Sequence, residues 1–198
     1  MYILIIIFIS CTLSCMIPYP IFNSSNILSI KQQQYVNDVF ENELIENNKS
    51  NIIVVKNLDW FEVVNNFFEK YKKTRIIDVQ TKKQYYVMRT GGYNHADVET
   101  IDISNTNIFK SLYGEWSWLR RPVWVEINGV FVAGSINGMP HGYSTISGNN
   151  EGGHTCIHFL NSKTHGTKRV DEAHQNAIQT AYNRANELSE YLLKLNKY

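Results

Sequence analysis

Cysteine is scarce in this chain. Three occur in 198 residues, and two of them, Cys11 and Cys15, lie inside an N-terminal apolar stretch. If that stretch is removed, Cys156 is left unpaired, which excludes a disulfide framework and leaves a free, reactive thiol. Charge of one sign is equally short. Nineteen Lys and Arg against eighteen Asp and Glu give a formal net charge of +1, and no basic cluster stands out. No nucleic-acid partner is expected on that ground. No internal repeat is visible, and no histidine precedes His95; all six lie between it and His174. Chemistry, if present, belongs to the C-terminal part.

What is present describes a globular protein. A hydrophobic content of 43% and a charged content of 19% suit one folded domain with a sizeable core and some additional chain. Residues 3–17 are nearly unbroken apolar, interrupted only by Ser, Thr and the two cysteines. They fall short of the roughly 20 residues of a comfortable spanning helix but suit the apolar region of a secretory signal. Met1-Tyr2 supplies no Lys or Arg ahead of it, and the segments ending at Cys11 and Cys15 each loosely resemble a lipoprotein cleavage box. Residues 1–22 therefore read as a signal peptide or N-terminal anchor. Export follows, to a secreted or cell-envelope location, with membrane contact only through this segment. Residues 23–51, rich in Asn, Gln and Ser, read as a polar spacer with a weakly amphipathic stretch around Tyr35 and Phe40. The domain proper spans residues 52–198.

Within it, residues 58–68 carry apolar side chains at helical spacing, with Asp59 placed to cap the start. The pattern then turns to strands. Residues 75–79 and 84–89 are β-branched and aromatic runs joined by a polar turn at 80–83. Residues 122–126 and 130–135 predict a second hairpin across Asn128-Gly129. The glycine-rich stretch 134–153 reads as a loop that delivers His141, and residues 156–160 as a strand. Residues 171–195 predict one long closing helix, with Ala177, Ile178, Ala181, Ala185, Leu188, Tyr191 and Leu192 on a single stripe. The fold expected is mainly β, of α+β class, sandwich or barrel-like, with an N-terminal helix and a long C-terminal one.

Cys156 sits in the run Gly153-His154-Thr155-Cys156-Ile157-His158-Phe159, fifteen residues after His141-Gly142. A thiol becomes a nucleophile near neutral pH when a base takes its proton, and a flexible loop can bring His141 to it. A buried, inert cysteine is the common alternative. The neighbouring histidines favour the nucleophile.

This run, continued through Leu160-Asn161, resembles the Ser-His-Gly-Cys-Ile-Arg-Leu-x-Asn signature of L,D-transpeptidase (YkuD-type) catalytic domains. Those domains also place a His-Gly pair some fifteen residues upstream. Residues 76–87 look like the family's opening hairpin. Residues 58–61, His95-Ala96-Asp97-Val98-Glu99, Trp116-Ser117-Trp118, Arg120-Arg121-Pro122 and residues 137–142 resemble more closely a divergent group of exported Firmicutes cell-wall proteins. That likeness runs from about Leu58 to Ile178. It implies a thioacyl mechanism on peptidoglycan stem peptides, with no cofactor. Cys156 would be the nucleophile, His141 the base and His154 the second catalytic histidine. His158, Gly142 and Thr155 would contact substrate, and backbone N–H groups near Thr155 and Cys156 would hold the oxyanion. The chain departs from the signature at three positions: Gly153 for Ser or Thr, Thr155 for glycine, and His158 for Arg or Asn.

His95 and Asp97 point the same way if their segment is extended, and with later histidines they could bind Zn²⁺. A hydrogen-bonded His–Asp pair beside the substrate is the favoured reading, so both count as substrate-pocket residues and no metal ligand is assigned. Arg121, or Arg120, could hold a substrate carboxylate. Trp116 and Trp118 could make a sugar- or peptide-binding face, whereas Trp124 reads as packing. His165 and His174 are assigned no chemistry. Two rivals accompany the L,D-transpeptidase reading: a cell-wall peptidase using zinc or the cysteine, and a catalytically silent wall-binding module. Neither the choice between transfer and hydrolysis nor the oligomeric state is legible.

Overall fold

The structure is a computed structural model, and it describes residues 53–195 together with Gln34 and Asp38. The apolar N-terminal stretch and the rest of the spacer lie outside the described residues. Seven strands form one sheet: β1 (Val55–Lys56), β2 (Lys73–Asp78), β3 (Gln84–Gly91), β4 (Ala96–Thr100), β5 (Ser117–Ile127), β6 (Val130–Gly138) and β7 (Thr155–His158). Their order is β1-β6-β5-β2-β3-β4-β7. Strand β7 also pairs with β6, at Ser135↔His158 and Ile136↔Ile157, so β6 through β7 close into a six-stranded antiparallel barrel. Strand β1 adds in parallel to the first half of β6.

The pleat explains the core. Alternate residues such as Ile76, Tyr85, Val87, Val98, Val125 and Ile157 fill the barrel interior. The opposite faces of β2, β5 and β6 are apolar too: Ile77, Trp124, Phe131 and Ala133 are covered by Ile178, Ala181, Leu188 and Leu192. Burial on both faces is why β6 carries no exposed residue. The covering residues belong to α4 (Glu172–Asn183) and α5 (Ala185–Leu195), and Trp124 Nε1 donates to Ala181 O at 2.8 Å.

Three local expectations need correction. The closing helix breaks at Arg184 (φ −97, ψ 19), so the apolar stripe docks as two helices. The segment after Asp59 is a π-helical turn, α1 (Trp60–Val64), running into the short α2 (Asn65–Phe67). Asp59 caps it, its carboxylate accepting from Phe61 and Glu62 N–H, and its carbonyl takes both Val63 and Val64 N–H. The stretch 134–153 is not all loop, because β6 continues to Gly138. Its glycines there serve packing: a Cβ on Gly134 would meet Val125 and Ile157 methyls at 3.1 and 3.3 Å, and one on Gly138 would meet the Tyr113 ring at 2.4 Å. Strand β4 and helix α3 (Ile103–Ser111), capped by Asp102 on Asn105 N–H, complete the fold. Among the described residues, no helix is long and apolar enough to cross a membrane.

Candidate functional site

The same pleat that sends Ala96, Val98 and Ile157 inward turns His95 and Asp97 of the β4 segment, and Cys156 and His158 of β7, to the outside of the barrel. Asp97 and Cys156 are register partners across the β4–β7 ladder. The chain beyond β6 returns to this spot through an isolated bridge in which His141 N–H donates to His154 O at 2.9 Å and His154 N–H to His141 O at 3.0 Å. Gly142 makes the return possible: its φ is +67, and a Cβ there would stand 2.5 Å from the His154 ring. The loop that follows is fastened to the barrel by Glu99, whose carboxylate accepts from Thr145 N–H at 2.6 Å, Ile146 N–H at 3.0 Å and Ser144 Oγ at 3.0 Å.

Cys156 Sγ lies 3.4 Å from His141 Nε2. The other ring nitrogen of His141 lies 2.8 Å from Met139 O. A carbonyl only accepts, so Nδ1 carries the hydrogen and Nε2 keeps its lone pair toward the thiol. This is a nucleophile, a base and a group that orients the base. The thiol is buried, and burial, with the Asp97 carboxylate behind it, pushes its pKa well above the ordinary value, while a hydrogen bond from Asn137 pulls the other way. The resting Cys156 is therefore a neutral thiol. Burial would also raise Asp97, but His95, His154 and His165 around it hold its carboxyl below the usual range.

Asp97 Oδ1 is the meeting point of the cluster. It stands 3.3 Å from His95 Nε2, 3.2 Å from His165 Nε2, 3.9 Å from His154 Nε2 and 4.0 Å from Cys156 Sγ. Two overlapping groups have metal-ligand spacing: His141, His154, Cys156 and His165, and His95, Asp97, Cys156 and His165. A cavity of about 280 Å³ opens over Cys156, bounded by Trp118, Arg120, Asn137 and His141 among others.

The residues expected at the site fall into four sets. Cys156, His141, His154, His95 and Asp97 come together. His158 forms part of the cavity wall, but its ring is sandwiched between His95 and His174, with centroids 4.4 and 3.7 Å away. Burial, with His174 and His95 beside it, drives its pKa far down, so it is a neutral packing element. Thr155 and Arg121 point elsewhere. Thr155 is one step out of phase with Cys156, and its side chain is buried 3.4 Å from Glu151. The methyl that the sequence sets beside the nucleophile thus does not enter the cavity. Arg121 is held by fully buried Asp78 through two bonds of 2.9 Å and is not free for a substrate carboxylate. Gly142 packs on His154, its role conformational.

Sequence reasoning missed His165 and His174. His165 reaches Asp97 from the 161–170 loop, and His174 accepts or donates at Nδ1 to Ser135 Oγ at 2.8 Å. Burial, with Arg120 nearby, lowers His174 to about 3. The signal for His174 lay in Asp171, whose capping of His174 N–H fixes that residue on the first turn of α4, against β6. His165 carried no local signal. Of the arginines, Arg120 rather than Arg121 borders the cavity. Trp118, half exposed, lies on its rim with its ring centroid 5.0 Å from that of His141. Compared with protein-family models, curated proteins and solved structures, the chain finds no match in any of the three.

Proposed function

We propose that this is an exported cysteine acyl-transfer enzyme of the L,D-transpeptidase kind, acting on peptidoglycan stem peptides. The observation that carries the reading is the Cys156–His141 contact, with His141 locked by Met139 O so that its lone pair meets the thiol. Cys156 Sγ attacks a peptide carbonyl carbon while His141 Nε2 takes the thiol proton. The C–N bond then breaks, His141 returns the proton to the leaving amine, and a thioester remains on Cys156. An acceptor amine attacks that thioester, gives up its proton through His141 and restores the thiol. If water takes the acceptor's place the product is a free acid and the enzyme is a peptidase. Arg120 borders the cavity, and its Nη2 is paired with Asp171 at 3.0 Å. Its buried Nε has no hydrogen-bond partner, and that N–H is the donor proposed for a substrate carboxylate. The substrate class and the export rest on the sequence likeness and on residues 1–22.

The test is product analysis with the full chain, tetrapeptide muropeptides and an added D-amino acid. Exchange of the terminal residue by the wild type and none by Cys156→Ser supports acyl transfer. Release without exchange, still dependent on Cys156, assigns hydrolysis. Turnover by Cys156→Ser equal to the wild type rejects the cysteine mechanism.

A further inference from the structure

The acyl-transfer chemistry uses one histidine and leaves the rest of the cluster without a purpose. Three imidazoles share one arrangement. His95 Nδ1 lies 2.6 Å from Lys163 O, His141 Nδ1 2.8 Å from Met139 O and His154 Nδ1 3.3 Å from Tyr143 O. Each Nδ1 therefore carries a hydrogen, which leaves Nε2 as the nitrogen of each neutral ring that can turn a lone pair toward the same small space. Anchoring of one ring nitrogen to a carbonyl is how metal-ligating histidines are oriented. His95 makes the case sharper. Its side chain is 1% exposed, and its Nε2 makes no hydrogen bond although it faces Asp97 Oδ1 at 3.3 Å. A cation relieves that contact, either a proton on Nε2, which makes an ion pair with Asp97, or a metal ion standing between the two.

We infer that His95 Nε2, Asp97 Oδ1, Cys156 Sγ and His165 Nε2 form a binding site for one thiophilic divalent cation, zinc above all, and that the bound ion masks the Cys156 thiol. The four atoms lie within 4.8 Å of one another. Ligands about 2.0–2.3 Å from a tetrahedral zinc stand roughly 3.3–3.8 Å apart, so a small inward adjustment closes the site. Imidazole, carboxylate and thiolate are a donor set that zinc accepts. Binding breaks the S–H bond, sends the proton to solvent and leaves the thiolate on the ion. The alternative group of His141, His154, Cys156 and His165 shares two ligands with this one, so the two cannot fill together. Each group uses one imidazole, His95 or His154, whose buried Nε2 has no hydrogen-bond partner; the first is preferred because it alone supplies carboxylate charge, through Asp97. That an occupied site holds the acyl-transfer enzyme inactive rests on the function proposed above; the ion site itself does not.

The experiment uses the full chain, freed of metal by chelation and titrated with Co²⁺, then with competing Zn²⁺. Two signals are followed: the thiolate-to-cobalt charge-transfer band and the rate of Cys156 alkylation by iodoacetamide. The expected result is a band that saturates at one ion per chain and is absent in Cys156→Ser. Affinity falls by more than about tenfold in His95→Gln and Asp97→Asn but not in His141→Gln, and Zn²⁺ slows alkylation at least about tenfold. Melting curves confirm that each variant is folded. No band in the wild type overturns the inference. So does a band that survives in His95→Gln and Asp97→Asn but is lost in His141→Gln and His154→Gln. Acylation of the metal-free chain by muropeptides is scored separately. A chain that acylates yet shows no band keeps the acyl-transfer function and overturns the ion site; one that binds the ion yet never acylates does the opposite.

Discussion

Cys156 has two neighbours of opposite effect. His141 offers a base at 3.4 Å, whereas burial and Asp97 keep the thiol protonated. The proton must then leave as the carbon–sulfur bond forms, which puts the burden on His141. His141→Gln is expected to slow acylation of Cys156 by about 10²–10⁴-fold in single-turnover kinetics while the fold persists. A loss below tenfold would mean that another group takes the proton. A second residue-scale expectation concerns Glu151, behind β7. Burial raises its pKa from 4.5 to about 7, although Thr100 N–H and hydroxyl donate to it at 2.6 and 2.8 Å. Between those two values the folded chain holds a proton that the unfolded chain has released. Stability therefore falls as pH rises through that window, by up to about 3 kcal/mol from this group. Glu151→Gln should remove that part of the slope: the stability of the variant minus that of the wild type, from denaturant midpoints, should rise between pH 4.5 and about 7. A difference flat in pH contradicts the assignment.

Among the elements, what was legible followed from strong local rules. Asn128-Gly129 announced the β5–β6 turn, and both residues have positive φ, 49 and 85, as that turn requires. The 171–195 stripe marked the face that packs on β5 and β6. What was not legible depended on non-local packing. Gly134 and Gly138 look like turn residues in sequence but are small because other strands and Tyr113 press against them. Strand β4 is only five residues long, so its alternation of inward Ala96 and Val98 with outward Asp97 and Glu99 is too brief to stand out as a strand pattern. The break at Arg184 has no Pro or Gly to announce it. Helix α4 offers a test at this scale, since Asp171 both caps it and holds Arg120 at 3.0 Å. Asp171→Ala should cost about 1 kcal/mol in chemical denaturation. No measurable loss would mean that the cap does not hold the first turn of α4.

For the whole molecule, barrel closure makes the site. Only where β7 reaches β6 do Cys156, His158 and Asn137 share an outer surface with Asp97, and residues 95, 97, 141, 154, 156 and 165 converge from four separate stretches of chain. The Cys156 and His141 spacing suggested its own meeting point. The convergence of the other histidines could not be seen, because nothing local links residue 165 to residue 97. Arg121 shows the converse: a cation beside Trp118 looks like a substrate clamp until Asp78 is found beneath it. Arg121→Gln leaves that buried carboxylate unpaired and should destabilise the fold by roughly 3–5 kcal/mol, read by thermal or denaturant unfolding. The substrate KM of the folded fraction should stay unchanged. A raised KM with unaltered stability would restore Arg121 to the substrate site.

The most direct test of the central claim is the intact mass of the metal-free chain after incubation with a tetrapeptide muropeptide and no acceptor. The account predicts a mass increase equal to the stem peptide less its departed amine, mapped to Cys156 and absent in Cys156→Ser. An unmodified Cys156 in a folded, metal-free chain would contradict it.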